Sequence, residues 1–304
     1  MGSHHNKLLL YFLSGITFVV LWASASSATK IGLQSVQPLV LSIPRFILAS
    51  ALMLTIAHLL IKQPIPNKKT AWKKIAIYGF FNVGLYLGLY VVAMQEVSAG
   101  LGALFIAINP VLILLISSIW FRQPLRLATV LSFSLCMVGM LIAAYPLLGG
   151  SHASVLGLCL LLLCNVSYSA GAIYFSKQNW EEMHILTING WQTLFGCLYL
   201  LPFAIYFYKD EANVFNLGFL GAVVWLAVPA SIIASLLWMS LLRKNPTKAS
   251  AWLFLCPIAG FTIAAIIMKE PLTWYTLAGV VLVIIGLYMV QQMKTPAVAR
   301  ANKN

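Results

Sequence analysis

Ten apolar runs, each long enough to cross a bilayer as a helix, follow one another along these 304 residues with only short polar breaks. A hydrocarbon core of about 30 Å takes roughly 20 residues of helix, and lipid admits only structures whose backbone polar groups are satisfied internally. The runs lie at about 8–28, 37–61, 73–93, 98–121, 127–147, 153–175, 184–207, 217–241, 249–268 and 272–291. Only 8% of the residues are charged and 61% are hydrophobic, whereas soluble domains carry about a quarter charged residues. No stretch is left for a separate soluble domain. The expected fold is an all-α integral membrane protein of ten transmembrane helices.

A net charge of +13 invites a polyanionic partner, but its distribution argues against nucleic acid. With the N-terminus inside and ten spans, the cytoplasmic segments hold fifteen of the nineteen basic residues, including Lys62, Lys68, Lys69, Lys73 and Lys74 in one connector. The outer segments hold Lys30, Lys209 and Lys269, and Arg45 falls within a span. This positive-inside bias sets both termini in the cytoplasm. The run ASASSA, Ala23 to Ala28, has the look of a signal-peptidase site, yet the repeat described next requires the helix that carries it. Residues MGSHH have the look of a tag remnant. The cysteines, Cys136, Cys159, Cys164, Cys197 and Cys256, lie within spans without a CxxC pair, so they read as small apolar fillers, and no metal or cofactor is expected.

A shift of 147 positions lays the chain on itself. Pro110 falls on Pro257, Pro124 on Pro271, Arg122 on Lys269, Thr129 on Thr276 and Gly139 on Gly286. One register that matches prolines, a basic residue and a glycine points to duplication: a first five-helix repeat over 8–147, a second over 153–291, and a cytoplasmic tail over 292–304. Five is odd, so the second copy enters from the opposite side. Inverted repeats place a solute site near the bilayer midplane between the halves and expose it alternately. Pro110 and Pro257 are expected inside the fourth and ninth helices, as hinges for that exchange or as static kinks, because proline removes a helical hydrogen bond.

With its duplicated five-helix unit, its NPV…RQPL and CPI…KEPL blocks, Gly139 and Gly286 in the closing helices, and PRF at Pro44 to Phe46, the chain resembles the EamA-type ten-helix carriers of the drug/metabolite transporter superfamily. That resemblance implies export of small metabolites across the bacterial inner membrane. Neutral or zwitterionic amino acids, aromatic ones included, come first; amines or small drugs are the alternative. It also implies a monomeric carrier whose partners are a small solute and lipid. The acid that usually precedes the second proline is Glu270 in one half but Gln123 in the other.

Candidate solute-binding residues follow from polarity at membrane depth, where ionisable and amide groups face protein or water. Arg45 is the only charge well inside a span. It reads either as a counter-charge for a carboxylate or phosphate, or as a structural arginine; its repeat mate is Gln192. Tyr78, Asn82, Tyr86 and Tyr90 recur at steps of four, one stripe on the third helix, with Gly84 and Gly88 opposite it for close helix contact. Trp22, Asn109, Asn165, Tyr168, Trp191, Ser235, Trp238 and Trp252 complete the set. Trp72, Trp120, Trp180 and Trp274 read as packing or interfacial aromatics. The carboxylates all lie in loops or at helix ends, which disfavours proton antiport and a dedicated cation site. His58 and His184 read as surface histidines near the cytoplasm. An intramembrane enzyme would need a nucleophile with its base, or clustered ligands, and the chain offers no HExxH, GxSxG or intramembrane Asp pair. A passive pore is the remaining rival.

Overall fold

In a computed structural model, residues 2–148, 153–180, 183–244 and 246–292 are described, so most of the expected tail lies outside the described residues, as do Glu181 and Glu182. Among the described residues the regular structure is all helix: α1 is Gly2–Leu33, α2 is Pro38–Thr55 continued by Ile56–Leu60, and α3 runs from Lys69 through Glu96. Next come α4a, Ala99–Ala107, and α4b, Asn109–Trp120; α5, Leu127–Ala144; α6, Val155–Lys177; and α7, Ile185–Tyr206. After these, α8 comprises Leu217–Trp225, Leu226–Ile233 and Ala234–Lys244, α9a is Pro246–Leu253, α9b is Leu255–Ile267 and α10 is Trp274–Gln292. Among the described residues eight helices are long and apolar enough to cross a bilayer, and the pair α4a–α4b, bent by 42°, makes a ninth. The segment expected as the ninth span is present as two pieces, with a shorter apolar stretch, Ala251–Ile267.

The prolines explain both breaks, though not by the expected kink inside a continuous helix. Pro110 sits in the first turn of α4b, after a break at Ile108, and Pro257 sits in the first turn of α9b, after a break at Phe254. A missing N–H is harmless in a first turn, so each proline starts a new half-helix.

The duplication is visible in who touches whom. The mates α5 and α10 pack together, as do α2 and α7, while α4a lies on α9b, the mate of its own continuation α4b. Helix α3 lies on α6, and by the same symmetry α8 lies on α1. Lipid gives no hydrophobic drive between helices, so close approach depends on small residues. A Cβ on Gly139 would stand 2.7 Å from the carbonyl oxygen of Gly279, and one on Gly286 2.8 Å from that of Ser132. Ser132 and Gly279 are themselves 147 apart, so the two contacts are copies. Arg122 and Lys269, also mates, both adopt positive φ, 50° and 55°, at the turn that ends each fourth helix of a repeat.

One duplicated feature has a sequence signature in only one of its copies. Phe80–Leu85 in α3 and Leu226–Ile233 in α8 are π-helical, and the 147 shift lays the first inside the second. Pro229 accounts for the bulge in α8; its mate in α3 is Asn82. Such bulges leave carbonyls short of partners, and serines supply them: Ser167 donates to the Phe81 oxygen at 2.9 Å and Ser231 to the Leu226 oxygen at 2.7 Å.

Candidate functional site

The π-helical turn lies within the expected tyrosine stripe, and the four residues meet three different neighbours. Tyr78 packs on Phe175 of α6, 4.9 Å between ring centroids, and Asn82 donates to the Gln192 Oε1 of α7 at 3.1 Å. Gln192 in turn donates to Asn189 at 3.0 Å. Further along, Tyr86 packs on Tyr168 of α6 at 4.9 Å, and the Tyr90 hydroxyl is 2.8 Å from that of Ser26 in α1. Gly88 makes the close helix contact expected of the pair, since a Cβ there would stand 2.7 Å from Leu200 of α7, whereas one on Gly84 would meet Tyr199 of α7 at an ordinary 3.7 Å.

At the centre of this region lies Arg45 of α2. Its residue is only 7% exposed, its Nη2 donates to Ser231 of α8 at 3.5 Å, and its Nε has no partner. Tyr86 and Tyr90 are the ionisable groups near enough to share its field. Arg45, Ser26, Tyr86 and Tyr90 come from the first repeat, and Tyr168 and Ser231 from the second, so the cluster lies between the halves. Asn165, fully buried one turn from Tyr168, donates to the Leu161 oxygen while its Oδ1 has no partner; the buried Asn109 Oδ1 at the start of α4b also has none.

The remaining candidates are not in this cluster. Trp22, Trp238 and Trp252 form a second aromatic group with Phe18 and Phe12: Phe18 stacks on Trp238 at 5.0 Å and lies 5.7 Å from Trp22, while Trp252 meets Phe12 edge-on at 5.8 Å. Trp191 belongs to a third group, edge-on to Trp72 at 4.7 Å, and its Nε1 donates to the Nε2 of His58 at 3.2 Å. His58 is also bonded through Nδ1 to the Gln63 carbonyl, so both its ring nitrogens are engaged within the protein, and the half-exposed His184 caps α7 by accepting from the Leu186 N–H. Ser235 lines a narrow, partly open crevice shared with Ser231, Asn189 and Met53. Trp120 and Trp274 are exposed as interfacial residues would be, and Trp180 stacks on Phe175.

Two contributions were missed at the sequence level. Ser26 lies in the ASASSA run, whose small residues form a buried packing face of α1: Ser24 also accepts from the Trp225 Nε1 at 3.0 Å. A cluster of small hydroxyl residues inside an apolar helix was the available signal. Glu270 accepts from the backbone N–H groups of Ala99 and Gly100, at 2.5 and 3.0 Å, and so caps α4a across the repeats. A carboxylate suits a helix N-terminus because it satisfies free N–H groups and faces the positive end of the dipole. The mates of Ala99 and Gly100 are Pro246 and Thr247. Proline offers no N–H, so Gln123 would have one donor fewer to receive at that end.

Two copies of a five-segment unit, with helices broken at matching prolines and polar groups gathered between the copies rather than on the lipid face, define a membrane transporter. The profile of the EamA-like transporter family matches residues 9–145 and 155–291, one copy in each half, and the chain belongs to that family. An uncharacterized transporter of Archaeoglobus fulgidus is 26% identical over 278 residues, 90% of this chain and 95% of its own. A probable amino-acid metabolite efflux pump of Salmonella typhimurium is 25% identical over 280 residues, 89% of this chain and 91% of its own. A protein of the same description from Escherichia coli is 23% identical, with the same coverage. A solved crystal structure superposes with a TM-score of 0.64 at 17% identity, over 94% of this chain and 99% of its own, which shows the shared fold.

Proposed function

We propose that the protein is a monomeric exporter in the cytoplasmic membrane, with both termini inside, that moves neutral or zwitterionic amino acids and related amphipathic solutes by alternating access of two inverted halves. The observation that carries this reading is the cluster between the halves: the Tyr86, Tyr90 and Tyr168 rings, the Ser26 and Ser231 hydroxyls and a buried guanidinium. Rings offer area to an apolar side chain, and the polar groups suit the backbone atoms of an amino acid. The descriptions of the Salmonella and Escherichia relatives agree with that class. Fifteen basic residues on one side support the orientation.

Counterflow in proteoliposomes, with each amino acid preloaded in turn, tests the reading; saturable exchange of a neutral subset is expected, and uptake linear in concentration would indicate a pore instead. Orientation is tested by cysteines at Asn67 and Glu211, both exposed, in a background lacking Cys159. Asn67 should label only from the cytoplasm and Glu211 only from outside.

A further inference from the structure

We infer that Arg45 holds an anionic group of the transported solute, a carboxylate, reached from the crevice between α2, α7 and α8; this deepens the exporter reading and rests on it. A guanidinium does not lose its proton in proteins, so Arg45 is a cation at every working pH. It begins a third turn of α2, roughly 10 Å along the helix from Pro38 at 1.5 Å per residue, and is more than nine-tenths buried. A buried cation needs a counter-charge, because its lost hydration is not otherwise replaced. Among the described residues no Asp or Glu supplies one: the groups sharing its field are Tyr86 and Tyr90, and its contacts are the Ser231 hydroxyl at 3.5 Å and the ring of Phe46 at 5.2 Å.

The open donor is placed as a carboxylate would need it. Nε has no partner and Nη2 has only a bond at the limit of length; these two nitrogens form the side edge of the guanidinium, the edge that takes a carboxylate in a fork. Packing alone does not demand a charge at this position, since its mate Gln192 fills the equivalent place with a neutral amide whose bonds to Asn82 and Asn189 are made. The side of approach is marked by Ser231, which partners Arg45 and stands between it and the narrow crevice that Ser231 lines with Ser235, Asn189 and Met53. Ser235 and Met53 lie on the side of the α7 start and of the Arg243–Lys244 end of α8, the face proposed above as cytoplasmic, the side from which an exporter loads.

The test uses the full chain in liposomes and two solute pairs: leucine with isoamylamine, and phenylalanine with phenethylamine, each pair differing by the carboxylate. Wild type should exchange at least one amino acid and discriminate against its amine. Arg45→Gln should weaken that amino acid about ten- to a hundredfold and leave the amine's weak interaction unchanged, as loss of one charge-assisted bond requires. Arg45→Lys should recover part of the loss, because charge is kept and the fork is not. Thermal shift of wild type with each solute gives the same comparison should Arg45→Gln fold poorly: the acid should stabilise and the amine should not. Equal exchange of acid and amine by wild type, or full amino-acid exchange by a folded Arg45→Gln protein, overturns the carboxylate site while leaving a carrier. Absence of saturable exchange for every amino acid and amine overturns the carrier reading, and the inference with it.

Discussion

The seam between α3 and α7 and the seam between α2 and α8 are copies of each other, related by the shift of 147, and they have been finished differently. At the first, Gly79 and Gly196 bring the backbones together: a Cβ on Gly79 would stand 2.5 Å from the Gln192 carbonyl oxygen, and one on Gly196 would collide with Val83. Gln192 then closes the seam with neutral amide bonds to Asn82 and Asn189. At the second, the mates of the two glycines are Leu226 and Ala49, both buried, and a crevice lined by Ser231 and Met53 opens beside them. The polar residue there is Arg45, with one weak bond and a buried Nε that has no partner. Symmetry supplies the frame twice; a seam whose polar groups are satisfied serves as structure, and one whose cation is left open is suited to a ligand.

The largest effects should come from wedging the tight seam. Gly196→Leu should abolish folded, monodisperse protein, and Gly196→Ala should lower stability by about 1–3 kcal/mol in thermal unfolding, since overpacked backbones must separate. The mate change, Ala49→Gly, should cost about 1 kcal/mol, the helix propensity of glycine. Equal losses for Gly196→Ala and Ala49→Gly would show that the two seams are packed alike.

Removing the amide lock comes next. Gln192→Leu leaves Asn82 and Asn189 without their bonds and should cost about 1–3 kcal/mol. Ser231→Ala, at the loose seam, should cost less, and should be seen in solute affinity more than in unfolding temperature. A Ser231→Ala protein as destabilised as Gln192→Leu would mean that Arg45 and Ser231 form a structural pair.

A smaller change, in rate rather than stability, is expected where the halves carry the same feature. Pro110→Ala and Pro257→Ala should each slow exchange severalfold with little loss of affinity, because an N–H restored near the break lets α4 or α9 propagate as one stiffer helix. Unchanged turnover in both would make the breaks static. The smallest effect belongs to the cap between the copies: Glu270→Gln keeps an acceptor but loses the charge facing Ala99 and Gly100, and should cost about 0.5–1 kcal/mol.

The amino-acid sequence by itself determined the solvent, the helices and the duplication. Those depend on the length of apolar runs, on the sign of charge in the connectors and on residues such as proline that act through their own backbone, all of which are local quantities read in order along the chain. Thus Pro110 and Pro257 marked α4 and α9 as interrupted helices before any coordinate was known, although the breaks fall just before the prolines and not at kinks within one helix, and the α5–α10 contact at Gly139 and Gly286 emerged only in the fold. Tertiary structure decided what each polar residue faces. The tyrosine stripe is even in sequence at steps of four, but a π-helical turn with no proline in α3 lies across it, and a hydrogen bond from Ser167 on another helix satisfies that turn. Trp191 and Trp252 were equal candidates with Tyr86 by polarity, yet they pack in other groups. Whether Arg45 is satisfied or open was likewise out of reach, because it depends on Ser231, 186 residues away, and on how closely a pair of glycines at one seam and a leucine and an alanine at the other let the helices approach. Partners so far apart along the chain meet only once the two copies have packed.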